Sequence, residues 1–142
     1  MILFVDDDPY HVENDVFNLR ACGYKVHDVS TVDEALQFLA AHGNEIDGVI
    51  CDVMMPHGDA FGPAETRAGL RTGLKLFEQA REHWPDLHFV IFTNVKEEVL
   101  RSYFEKESRC MYMQKQDYWE GRKFTEQIKN FIPLPAEGEK SS

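Results

Sequence analysis

Long apolar runs are missing from this sequence of 142 residues. None approaches the about 18 residues that a membrane-spanning helix needs. The short apolar opening has no basic leader before it, so it is not read as a signal peptide, and a cytoplasmic location is the default expectation. Cysteine is scarce too. Cys22, Cys51 and Cys110 are three in number, with no CxxC spacing, which argues against a disulfide framework or a zinc site. Cys51 and Cys110 border apolar runs and read as small core residues. Positive charge is in deficit, with 15 Lys and Arg against 25 Asp and Glu and a formal net charge of −10. A nucleic-acid binder needs a basic stripe to displace counterions, and an acidic surface disfavours anionic membranes. Neither kind of partner is expected.

What is present is an alternation. Short apolar runs, ILFV (2–5), YKVHDV (24–29), IDGVIC (46–51), LHFVIF (87–92) and CMYM (110–113), are separated by stretches with helical spacing. The middle runs are apolar almost throughout, as strands covered on both faces should be. Val12, Val16 and Leu19 fit one helical face after Asp8 as cap and Pro9 as first residue, with Gly23 as the stop. Further helices are expected over Thr31 to His42, about Leu70 to Trp84 before Pro85, Val95 to Glu107, and Tyr118 to Phe131. The order βαβαβαβαβα predicts an α/β fold: a five-stranded parallel sheet, strand order 2-1-3-4-5, with helices on both faces in the flavodoxin-like manner. The ligand site of such a sheet lies beyond the carboxyl ends of its strands, where the strand order reverses.

At those ends stand Asp6, Asp7 and Asp8 after the first strand, Asp52 after the third, Thr93 after the fourth and Lys115 after the fifth. Adjacent carboxylates repel one another and resist burial unless something positive answers them. A hard cation such as Mg²⁺ accepts oxygen ligands of this kind. A carboxylate beside it, faced by an ammonium and a hydroxyl, can act as nucleophile towards a phosphoryl group whose oxygens those groups neutralise.

The series VDD, then DVMMP, then VIFT, then Lys115, each at a strand end, resembles a response-regulator receiver domain over residues 1–132. The resemblance implies that Asp52 is a phosphoacceptor, taking its phosphoryl group from a phosphohistidine donor with Mg²⁺, or Mn²⁺ in its place. By the same resemblance Asp7 and Asp52 are side-chain metal ligands, Asp6 reaches the metal through water, and Met54 lends its backbone carbonyl. Thr93 and Lys115 correspond to the groups that hold the phosphoryl oxygens, and Tyr112 to the switch aromatic that turns inward with Thr93. The implied partners are a sensor histidine kinase or a histidine phosphotransfer protein. A downstream protein or a second copy is expected on the fourth helix, fifth strand and last helix. The role implied is a switch rather than a turnover enzyme.

The sequence departs from the family pattern in three respects. Asn94 follows Thr93 where the family prefers a small residue, with Met54 and Val95 flanking the site, so slow self-dephosphorylation is expected. The other two concern the chain around it. About a dozen extra residues (57–70) follow Pro56, ahead of Thr72-Gly73-Leu74, the nearest match to the usual Asp-Gly turn; they suit a lid or a tolerated surface extension. Lys115 is followed by Gln116 where the family has proline, so a trans peptide is expected there. Residues 133–142, PLPAEGEKSS, read as a flexible tail or the start of a linker. Two other functions compete: a degenerate receiver that binds partners without phosphorylation, and a haloacid-dehalogenase-like phosphatase with FVDDDPY as its DxD motif. The second leaves Asp52 without a task.

Overall fold

The computed structural model describes residues 1–56, 58–62, 64, 71–118 and 120–134. Five strands, β1 (Ile2–Val5), β2 (Val26–Val29), β3 (Gly48–Cys51), β4 (His88–Thr93) and β5 (Cys110–Gln114), form one sheet. Its order is β2-β1-β3-β4-β5 and every pairing is parallel, as the alternation predicts. Among the described residues, the helices between and after them are α1 (Pro9–Ala21), α2 (Val32–His42), α3 (Thr72–His83), α4 (Glu98–Lys106) and α5 (Gly121–Phe131).

The strands read apolar because both faces are covered. Leu3, Val5, Val49, Cys51, Phe89 and Ile91 point to one side, where they meet Leu39 of α2, Leu76 and Phe77 of α3, and Leu100 and Phe104 of α4. Ile2, Phe4, Ile50, Val90 and Phe92 point to the other, against Val12, Val16 and Leu19 of α1 and Phe124 and Ile128 of α5. The alternation is the two-residue period of a strand used twice over. Each buried aliphatic or aromatic side chain supplies about 1.5–3 kcal/mol of transfer free energy. Phe77 adds edge contacts, its ring centre 5.1 Å from that of Phe89 and 5.2 Å from that of Phe104.

Local signals set the boundaries. Thr31 caps α2 by accepting from the Glu34 N–H at 3.1 Å. Gly23 ends the turn after α1 with φ of 108°, a conformation that glycine adopts without penalty. Several expected elements are shorter than the sequence suggests, β3 among them, which starts at Gly48 rather than Ile46. The second strand starts at Val26 rather than Tyr24, because the Tyr24 ring is buried and its hydroxyl turns to α5. The fourth helix starts at Glu98 rather than Val95, because the chain after Thr93 forms a side-chain-bonded turn first. The last helix starts at Gly121, because Lys115–Tyr118 winds as a 3₁₀ turn. Leu134, expected in the flexible tail, still packs on the α1–α5 side beside Ile132; residues 135–142 lie outside the described residues.

The Tyr24 hydroxyl donates to the Ile132 carbonyl at 2.7 Å and approaches that of Ile128 at 3.3 Å. Burial, assisted by Cys22 and Asp47, pushes its pKa up to about 12. A phenol whose folded pKa lies above its unfolded value gives stability that is complete below about pH 10 and lost as pH rises towards 12. Urea unfolding is therefore expected to show a fall in stability across that window. In Tyr24→Phe the fall should be smaller, and stability at neutral pH lower by about 1 kcal/mol.

Candidate functional site

Strand register builds the site. Val5 pairs with Cys51, so Asp6 and Asp52 leave the sheet side by side; the Asp52 N–H donates to the Val5 carbonyl at 3.1 Å. Thr93 pairs with Gln114, which brings Lys115 out next to them. Lys115 Nζ donates to Asp6 Oδ2 at 2.7 Å and to Asp52 Oδ2 at 3.1 Å. All three side chains are buried, with exposures of 7% for Lys115, 2% for Asp6 and 11% for Asp52. The second oxygen of each carboxylate is held by backbone: Asp6 Oδ1 accepts from the Asp8 N–H at 2.9 Å and Asp52 Oδ1 from the Met54 N–H at 3.1 Å.

The electrostatics follow from that crowding. Burial pushes the Asp6 carboxyl up, and the Lys115 ammonium and the Asp8 amide only partly pull it back. Burial also works against the Lys115 ammonium, but Asp52 and Asp6 outweigh it and hold its pKa above the usual lysine value. One ammonium thus serves two carboxylates.

The donor set is all oxygen, the kind that a hard cation takes, and by its chemistry it suits Mg²⁺. Two of the three expected carboxylates, Asp6 and Asp52, are brought together. Asp7 is exposed and lines, with Asp6, the groove between α1 and the end of β2. Among the described residues, no group of three or more His, Cys, Asp or Glu side chains is gathered to hold a metal ion. The charge between Asp6 and Asp52 is that of Lys115. Met54, whose N–H donates to Asp52 Oδ1, has an exposed side chain.

Thr93 is fully buried and its Oγ1 accepts from the Val95 N–H at 3.3 Å. Tyr112 is already inside, 5% exposed, with its hydroxyl donating to the Val95 carbonyl at 2.6 Å. The Arg101 guanidinium lies 4.9 Å from its ring centre. Among the described residues no peptide bond is cis, so Lys115–Gln116 is trans as expected.

Other residues that shape the site were not picked out from the sequence. Arg71, just before α3, pairs with Glu97, just before α4, bridging the two loops beside Asp52 and Thr93. Asp33, on the first turn of α2, accepts from the Asp59 and Ala60 amides, both at 2.9 Å, while Gly58 turns with φ of 64° against its carboxylate. With Phe61 buried in the core, the described start of the extra segment is fastened to α2. His57, Pro63 and residues 65–70 lie outside the described residues. The Gly58-Asp59 pair signals a turn, but nothing in a single sequence says that Asp33 receives it.

Gly73 explains why the Thr72-Gly73 pair matters. Its N–H donates to the Val53 carbonyl at 3.0 Å, and a Cβ there would stand 2.3 Å from the Asp52 carbonyl oxygen and 2.6 Å from Val53 Cα. Both obstacles are backbone, so α3 would have to move off the chain that follows β3. Gly73→Ala is expected to lower stability by about 1–3 kcal/mol, read as a lower urea midpoint.

No family model matches the chain. Solved structures do. The non-phosphorylated HemR receiver domain from Leptospira biflexa superposes with a TM-score of 0.75 and 22% identity, covering 95% of each chain. A response regulator receiver domain protein from Clostridium thermocellum gives 0.73 and 24%, covering 92% of each. This is the receiver-domain fold. A further receiver-like match, a putative response regulator from Chloroflexus aurantiacus J-10-fl, has a TM-score of 0.68 and 27% identity, covering 92% of this chain and 94% of that one. Among curated proteins the chain is similar to sensor kinase CckA of Brucella abortus (strain 2308), 30% identical over 97 residues, 68% of this chain. The match spans only 9% of that protein's length. In the receiver fold the carboxyl ends of β1, β3, β4 and β5 face one another, and Asp6, Asp52, Thr93 and Lys115 occupy them here.

Proposed function

We propose that the chain is the phosphoacceptor of a two-component or phosphorelay system, with Asp52 taking the phosphoryl group from a phosphohistidine. The observation that carries this reading is the buried Asp6–Lys115–Asp52 group at the strand ends. An Asp52 oxygen forms the new P–O bond, the P–N bond of the donor breaks, and its electron pair returns to the donor imidazole. Lys115, already on Asp52 Oδ2, would turn its charge to the arriving phosphoryl oxygens, with the buried Thr93 hydroxyl beside it. Asp6, Asp7, Asp52 and the Met54 carbonyl would hold Mg²⁺ or Mn²⁺. When bound, the ion supplies charge neutralisation for the phosphoryl group and for the acids themselves.

The donor would be a sensor histidine kinase or a histidine phosphotransfer protein, and the output a change of partner rather than a turned-over product. On α4 the exposed Val99 (71%) and Tyr103 (37%) stand one turn apart. They offer an apolar contact on the side of α4 where the Tyr103 ring meets Phe77 of α3, for a downstream protein or a second copy.

A second reading has one observation in its favour. Asp7 is exposed while Asp6 and Asp52 are buried on Lys115, and among the described residues no three acids are gathered for a metal, which suits a receiver fold that binds partners without taking a phosphoryl group. Acetyl phosphate with Mg²⁺ separates the two. The wild type is expected to gain one phosphoryl group by intact mass, and Asp52→Asn or wild type with a chelator to gain none. A wild type left unmodified under conditions that label another receiver would favour the second reading.

A further inference from the structure

We infer that Gln116 is a positioning residue for the phosphoryl transfer proposed above, on which this inference rests. It holds the turn after Thr93 in place from the turn that carries Lys115. The Gln116 carboxamide donates from Nε2 to the Asn94 carbonyl at 3.1 Å. The next carbonyl, Val95, is taken by Tyr112 at 2.6 Å, and the Val95 N–H is on Thr93 Oγ1 at 3.3 Å. On the far side Glu97 is tied to Arg71. The segment between Thr93 and α4 is therefore bonded by side chains at successive backbone groups, and this is why the helix begins only at Glu98.

Two of these bonds come from β5 and the 3₁₀ turn after it. Tyr112 reaches the turn from within the sheet, whereas Gln116 reaches it from the residue adjoining Lys115. Gln116 therefore ties the residue that follows Thr93 to the residue that follows Lys115. The Lys115 ammonium and the Thr93 hydroxyl must both approach one phosphoryl group, and a small misplacement of either costs rate out of proportion to its cost in stability. A proline at 116 would fix its own backbone dihedral but could donate nothing to Asn94. The trans Lys115–Gln116 bond and the side-chain bond together give this chain another way to fix the same junction.

The decisive variants are Gln116→Met, which keeps length but no donor, and Gln116→Ala. The full chain would be labelled with acetyl phosphate over a range of Mg²⁺, with amide exchange at Val95 and the urea midpoint measured alongside. The expected result is a three- to tenfold lower maximal labelling rate in both variants. Half-saturating Mg²⁺ should be unchanged, exchange at Val95 faster, and the midpoint unchanged. Wild-type rates and wild-type exchange at Val95 would overturn the assignment. So would slower labelling that only tracks a lower midpoint with faster exchange throughout the chain. A wild type that takes no phosphoryl group would defeat the reading of Asp52 instead, and exchange at Val95 would still decide whether Gln116 holds the turn.

Discussion

Lys115→Met is expected to lower stability at neutral pH by about 3–5 kcal/mol, because it leaves a buried charge without its partner. Asp6 Oδ2 and Asp52 Oδ2 both take their side-chain hydrogen bond from this one ammonium, and backbone amides satisfy only their other oxygens. Without it, two buried carboxylates face each other with nothing between them. The pH dependence fixes the cause. Asp6 already has its carboxyl raised by burial, and loss of the ammonium pushes it further. A carboxyl whose folded pKa lies above its unfolded value favours the folded state below that unfolded value, and this contribution is lost as pH rises through the folded pKa. The defect should therefore be large at neutral pH and shrink as the pH falls towards the ordinary carboxylate range. Urea midpoints of wild type and variant at the two pH values check this. An equal loss at both would mean that packing of the lysine stem, and not its charge, sets the cost. In the wild type the Lys115 contribution is complete below the unfolded lysine value of 10.5 and fades above it, as pH passes the raised folded value.

Arg81→Ala should cost about 3 kcal/mol from the opposite end of the sheet. The Arg81 guanidinium leaves the last turn of α3 and donates to the carbonyls of Pro85 at 2.7 Å, Leu87 at 2.6 Å and Ser108 at 2.9 Å. Longer contacts reach the Arg109 carbonyl and Cys110 Sγ, both at 3.4 Å, and the group lies 5.2 Å from the Phe77 ring centre. One side chain thus ties α3 to the starts of β4 and β5, across the turn where Arg109 has φ of 56°. Its buried Nε lacks a partner among the described residues, which reduces the gain but leaves the fork intact. Arg81→Lys keeps the charge and cannot span the same acceptors, so it should recover less than half of the loss. Because the starts of β4 and β5 lie at the other end of the strands from Asp52, labelling per folded molecule should not change. A lower labelling rate in the folded variant would contradict that separation.

These two sites also mark what the sequence could and could not tell. Strand order and the juxtaposition of Asp6, Asp52, Thr93 and Lys115 were legible because they depend on periodicity. Once the alternation fixes a parallel sheet, residues just past the strands must share an edge. Side-chain reach is not periodic. Nothing in the sequence distinguishes Arg81 from Arg71, yet one staples two strand starts and the other bridges two loops. Asp6 and Asp7 are neighbours in the sequence, but adjacent residues leave a strand end in different directions, so Asp6 is buried against Lys115 while Asp7 is exposed. The late start of α4 was hidden for a similar reason. Asn94 to Glu97 carries no helix breaker, and its conformation is set by partners from Tyr112, Gln116 and Arg71, distant in sequence.

The most direct measurement is the location of the phosphoryl group. An aspartyl phosphate is an acyl phosphate, and borohydride reduces it to homoserine, a covalent mark that peptide mass mapping can place. After labelling with acetyl phosphate and Mg²⁺, homoserine is expected at position 52 and nowhere else. Homoserine at Asp6 or Asp7 with position 52 unmarked, or a phosphoryl group on a histidine or hydroxyl instead, would contradict the assignment of Asp52 as the acceptor.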